Sequence, residues 1–146
     1  MLGSSAQIAS GEKEPIVATI VDSTGEPLPS LTDIKIQVRR NSDGYYLDWS
    51  DNLFKTSPTT MYQALTEISA TNNKGQYKLN TATHVNGFDT ATLTSPLPNE
   101  IYYFTLIQDG GITAANVPQM GELRVGGDLD IIINNLIQSQ DPVTWG

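Results

Sequence analysis

Few side chains in this 146-residue chain could carry chemistry: it has one histidine, sixteen acidic residues, eight basic ones and no cysteine. A Ser–His–Asp arrangement would have to use His84, because histidine alone titrates near neutrality without perturbation. No G-x-S-x-G elbow accompanies it. Its surroundings, Asn80-Thr81-Ala82-Thr83-His84, are polar and read as loop, so an exposed loop histidine is expected. The same scarcity disfavours a histidine-based transition-metal site. Without cysteine there is neither a disulfide framework nor a thiolate zinc site.

The carboxylates Asp43, Asp48 and Asp51 cluster near Asn41-Ser42-Asp43-Gly44, which opens like an oxygen-rich calcium loop. An EF-hand needs a bidentate Glu at its twelfth place, and counting from Asn41 that place is Asn52. A turn aspartate bonding its own backbone accounts for Asp43 more simply. Paired carboxylates for glycoside hydrolysis need a spatial separation that sequence spacing does not establish. Gly110-Gly111 and Gly126-Gly127 lack the G-K-[ST] and βαβ context of a phosphate loop and read as turns. Arg39 and Arg40 beside Tyr45, Tyr46 and Trp49 superficially match a stacking surface for single-stranded nucleic acid.

Charge argues against that last use. The net charge is −8, with a pI near 4.3, whereas phosphate binding relies on clustered Lys and Arg. No stretch approaches the roughly 18 apolar residues of a membrane span, so no membrane partner is expected. Residues 1–10 lack a basic segment ahead of an apolar run, so no secretory signal is expected. No cofactor is expected either.

The elements that must position these residues read almost entirely as strands. Residues 16–22 (IVATIVD) are β-branched and close at Asp22-Ser23-Thr24-Gly25. Over 34–40, Ile34, Ile36 and Val38 alternate with Lys35, Gln37 and Arg39, the period of a half-buried strand. After the Asn41–Gly44 turn, Tyr45, Leu47 and Trp49 alternate against Tyr46 and Asp48, predicting a hairpin with Tyr45, Leu47 and Trp49 facing the core. Further strands are expected at 61–68, 76–80, 90–94, 100–108 and 122–125. Aromatics on both faces of 101–107 imply a central strand covered on each side, or else a row of rings for sugars. Seven or eight short strands spaced roughly 8–15 residues apart, without intervening helices, indicate a sandwich or barrel.

One segment reads as helix. Asp128 can cap it, and Leu129, Ile132, Ile133, Leu136 and Ile137 fall on one face of a 3.6-residue period. The chain therefore divides into a flexible N-terminal arm (1–14), a β-domain (15–126), and a C-terminal helix and tail (127–146).

Two patterns go beyond general β character. Asn73-Lys74-Gly75-Gln76-Tyr77-Lys78-Leu79 resembles the D-x-G-x-Y-x-C stretch of immunoglobulin-like domains, with Asn for Asp and Leu for Cys. The resemblance implies a tyrosine corner, in which the Tyr77 hydroxyl bonds back to backbone while its ring packs in the core. Residues 20–28 (IVDSTGEPL) are similar to the first-strand pattern of bacterial and phage Ig-like domains. The block 38–49 (VRRNSDGYYLDW), then Phe54-Lys55, then Leu65-Thr66-Glu67-Ile68 ahead of Gly75-Gln76-Tyr77, resembles Ig-like domains of tailed-bacteriophage virion proteins. Those are decoration, head-fibre, collar or baseplate components.

The resemblance spans 34–79, and its motifs are structural: Gly75, the core aromatic Trp49 and the corner Tyr77. It implies an all-β, Ig-like antiparallel β-sandwich of seven or eight strands, ending in the short amphipathic helix. It brings no catalytic residues. The implied protein is a non-enzymatic virion component, foremost a capsid decoration or head-associated protein. Its partners would be other virion proteins, capsid or tail subunits, and further copies of itself. The helix face Leu129, Ile132, Ile133, Leu136 and Ile137 needs cover from this domain or a neighbour, and Trp145 is the kind of aromatic that anchors an interface. A neck, tail or baseplate accessory role is the nearest alternative. A carbohydrate-binding or adhesion module is the alternative of another class, followed by a calcium-dependent β-domain and an acid-pair hydrolase.

Overall fold

The computed structural model describes residues 5–9, 11–93, 100–108 and 119–126. Twelve strands lie among the described residues. In chain order they are β1 (Ser5–Ala9), β2 (Lys13–Glu14), β3 (Val17–Thr19), β4 (Ile34–Arg40), β5 (Tyr46–Asp48) and β6 (Leu53–Lys55). There follow β7 (Gln63–Ala64), β8 (Thr66–Ser69), β9 (Asn73–Lys78), β10 (Phe88–Asp89), β11 (Glu100–Gln108) and β12 (Gln119–Gly126). The protein is therefore all-β in character, and its sheets are mixed rather than purely antiparallel.

The large sheet runs β1-β12-β11-β4-β5-β6, with β7 also pairing β4. A three-stranded sheet runs β3-β9-β8, and β2 pairs β10. Period-two sequence explains the centre of the large sheet. In β4, Ile34, Ile36 and Val38 are fully buried, while Lys35, Gln37 and Arg39 are half-buried on the other side. In β11, Tyr102, Phe104 and Leu106 point inward, with Ile101, Tyr103, Thr105 and Ile107 opposite. Leu123 and Val125 continue that inner face in β12. Ala18, Tyr77 and Leu79 from the small sheet's side meet these residues in one core cluster. Fully burying side chains of this size contributes about 1.5–3 kcal/mol each.

The β4–β5 hairpin forms through the expected turn: Arg40 N donates to Tyr45 O at 2.8 Å and Gly44 N to Arg40 O at 2.9 Å. Tyr45 is exposed, however, rather than facing the core. Asp48 does point away from Leu47, yet it has no exposed surface, because the backbone at Thr59 and Thr60 closes over it. Where a strand was expected over 90–94, Thr90–Thr92 is a 3-10 turn, capped by the Asp89 carboxylate accepting from Ala91 N. The strand there is the short β10 just before it.

The largest departure lies at the N-terminus. The segment expected as a flexible arm supplies β1, which runs parallel to β12 from Ser5↔Glu122 to Ala9↔Gly126, and β2, which pairs β10. Ala6 and Ile8 pack against the core. Ala6 and Ile8 bury too little surface to order a free segment. The backbone of β12 supplies the remaining partners, since an edge strand offers a row of unpaired N–H and C=O groups. The expected helix and Trp145 lie outside the described residues, as do Leu129, Ile132, Ile133, Leu136 and Ile137.

Candidate functional site

The side chains that sequence reading set aside for chemistry are spent on holding the fold. His84, expected in an exposed loop, is 1% exposed. Its ring stacks on Phe88, with centroids 5.1 Å apart and planes within 7°, and meets Trp49 edge-on at 5.4 Å. Phe88 in turn packs edge-to-face on Tyr102 and Phe104. The polar residues that made this stretch look like loop satisfy it internally: Thr81 Oγ1 accepts from His84 N, and Asn52 Oδ1 lies 2.7 Å from His84 Nε2. Burial pushes the imidazole down to about 4, so it is neutral at pH 7.

Asp48 collects five donors: Ser50 N and Oγ, Thr59 N, Thr60 N and Lys55 Nζ. The Ser50 hydroxyl and the Lys55 ammonium hold its carboxyl well below the usual carboxylate range. Lys55 also reaches Asp51 at 2.6 Å, while Asp43 pairs with Arg40 at 2.6 Å and accepts from Tyr45 N. The three carboxylates considered for calcium thus face protein cations and backbone. Among the described residues no group of three or more His, Asp or Glu could hold a metal ion, and no helix is long and apolar enough to cross a membrane.

Tyr77 is fully buried. Its hydroxyl donates to Leu28 O at 2.7 Å and accepts from Leu31 N at 2.9 Å. The partners of an Ig tyrosine corner lie a few residues upstream. Here they lie 49 and 46 residues back, so the bond ties β9 to the loop before β4. Gly75 has φ +78, and a Cβ there would stand 2.8 Å from Ile20 O and 2.9 Å from Pro27 Cβ. Trp49 packs against the core and donates Nε1–H to Met61 O.

Among the described residues, the outer face of the large sheet lines up aromatic and charged side chains from neighbouring strands. Cross-strand register sets Glu122 (β12), Tyr103 (β11), Arg39 (β4), Tyr46 (β5) and Lys55 (β6) in one row. The Arg39 guanidinium lies 4.7 Å above the Tyr103 ring. A second row joins Met120, 63% exposed, to Thr105 and Gln37. Beside them, Ala6, Gln7, Glu122 and Arg124 line a shallow polar recess of about 310 Å³. On β4, β11 and β12 the outward charges are Lys35, Arg39 and Arg124 against Glu122 alone, so this face is locally cationic on an acidic chain. Of these side chains, the sequence offers Arg39 and Tyr46, together with Arg40, Tyr45 and Trp49, as a superficial match for nucleic acid. The missing signal was register, which places Tyr103 and Tyr46 on either side of Arg39.

The chain matches no protein-family model, no curated protein and no solved structure.

Proposed function

We propose that this is a non-enzymatic structural protein that works by burying surface against neighbouring protein subunits, chiefly through the outer face of its large sheet. The observation that carries the reading is the Tyr103–Arg39–Tyr46 row on adjacent strands. Tyrosine and arginine dominate the energetics of protein interfaces, because each offers a large contact area together with directed polar groups. A specific contact of about 1,200–2,000 Å² in total could be centred on such a row. That His84 and the Asp48 network are committed to internal bonds supports the non-enzymatic reading.

The setting follows from the resemblance over 34–79. We read the two sheets around one core as an Ig-like sandwich of a tailed-phage virion, with the chain as a capsid decoration or head-associated protein. A neck, tail or baseplate position is the nearest alternative. Leu129, Ile132, Ile133, Leu136, Ile137 and Trp145 form a second contact device in this reading. Against the carbohydrate-binding alternative, the Arg39 guanidinium already covers one face of the Tyr103 ring.

Electron-microscopic reconstruction of phage particles produced from the genome that encodes this chain tests the proposal. Density for the domain at regular lattice positions, with β4 and β11 facing a neighbour, is expected. Particles that lack it, together with glycan binding by the isolated chain, would overturn the reading.

A further inference from the structure

We propose that His84 is the trigger of an acid-releasable clasp that holds the N-terminal strand β1 on the edge of the large sheet. The hydrogen bonds around the ring fix its tautomer. Asp89 N–H donates to Nδ1 at 3.0 Å, so that nitrogen carries no proton. The neutral ring then bears its hydrogen on Nε2, which donates to Asn52 Oδ1 at 2.7 Å. Asn52 in turn donates through Nδ2 to Thr92 O at 2.7 Å and to Thr92 Oγ1 at 3.1 Å. His84 and Asn52 together pin both ends of the 89–92 segment to the β5–β6 turn.

The N-terminal segment hangs on the other side of that segment. Thr90 N and Thr90 Oγ1 both donate to Glu12 O, at 3.1 and 2.6 Å, and Gly11 N donates to Thr90 Oγ1 at 2.8 Å. Phe88 pairs Glu14 and Asp89 pairs Lys13 across β10 and β2. Close approach there requires Gly87, where a Cβ would stand 2.6 Å from Glu14 O. β1 precedes this anchor directly, with Glu12 N donating to Ala9 O. Its own hold on the body is the β12 ladder and the half-buried Ala6 and Ile8.

A proton from solvent can add only at Nδ1, where Asp89 N–H already points. Two N–H groups would then face each other at 3.0 Å, and the segment carrying Asp89 and Thr90 must move. The charged groups facing the ring are Asp89, which favours the imidazolium, and Lys13, which opposes it. Trp49, Phe88 and Asn52, packed around the ring, carry no charge. Burial places the transition at about pH 4, below the ordinary histidine value of 6.5.

The chain's single histidine makes the test direct. Proton NMR follows the His84 ring C–H signals from pH 7 to pH 3, while hydrogen exchange on the same chain follows amide protection in β1, β2, β4 and β11. The expected result is a His84 midpoint near pH 4. Protection of β1 and β2 amides should fall by up to about tenfold per pH unit from about pH 6.5 down to that midpoint and level off below it, while β4 and β11 keep theirs. His84→Gln, which never titrates, should hold β1 through the same range. A midpoint near 6.5, titration without loss at β1, or simultaneous loss in all strands would each overturn the clasp. If His84→Gln does not fold, the two readouts on the native chain decide.

Discussion

The Tyr77 hydroxyl donates to the Leu28 carbonyl at 2.7 Å from inside the core, joining β9 to a loop 49 residues earlier in the chain. Tyr77→Phe removes that donor, and with it the acceptor for Leu31 N–H, without emptying the ring's place. Leaving such buried groups unpaired costs about 1–3 kcal/mol. Urea unfolding checks this: the midpoint should fall by a corresponding amount, and an unchanged midpoint would mean the bond contributes nothing.

Gly75 sits two residues before that tyrosine, with φ +78 and Ile20 O beneath it. Gly75→Ala combines a left-handed backbone with a Cβ too close to a carbonyl. The expected cost is about 1–3 kcal/mol. Gly25, also at positive φ but with open space around it, is the control. Gly25→Ala meets the backbone penalty alone, so thermal melting should show the smaller loss there.

Both acid-sensitive groups lower stability as pH falls, in different windows. His84 has a folded pKa of about 4 against 6.5 when unfolded. The unfolded chain binds the extra proton between those values, so stability drops across that window by at most about 1.4 kcal/mol per pH unit. Asp48 is held low, so its contribution is present above the ordinary carboxylate pKa and is lost as pH falls below it. Comparing Asp48→Asn with the native chain by denaturant unfolding should show a lower midpoint at pH 7 and a shrinking difference below pH 4. A difference constant with pH would contradict this account of Asp48.

The central strands were legible because alternation alone specifies them: β4 and β11 have the bounds their period implies. Exposure was less legible, because closure by distant segments is not a local property. Asp48 faces away from Leu47 as alternation requires, and the backbone at Thr59 and Thr60, eleven and twelve residues on, helps to bury it. His84 looked like a loop residue because its neighbours are polar, and those polar groups satisfy it. The pairing of β1 with β12 joins the two ends of the described chain in parallel, and nothing local in Ala6 or Ile8 announces it. In the proposed interaction face, Arg39 and Tyr46 were legible by residue type but the row with Tyr103 was not, since register between strands decides which side chains stand together.

Replacing Arg39 by Glu reverses charge at the centre of that row while leaving the core alone. The cation–π contact with Tyr103 is worth about 0.5–1 kcal/mol, so the unfolding midpoint should change by no more than that. Tyr103→Ala, with its ring half-buried, should cost somewhat more and still leave a folded chain.

Under the proposed virion role, the most direct measurement is density-gradient sedimentation of the assembled particles, made with the native protein or with Arg39→Glu. The native chain should travel with the particles, and Arg39→Glu, folded but reversed in charge, should remain at the top of the gradient. A native chain left at the top, or an Arg39→Glu chain carried down equally well, would contradict the claim that this face is how the protein works.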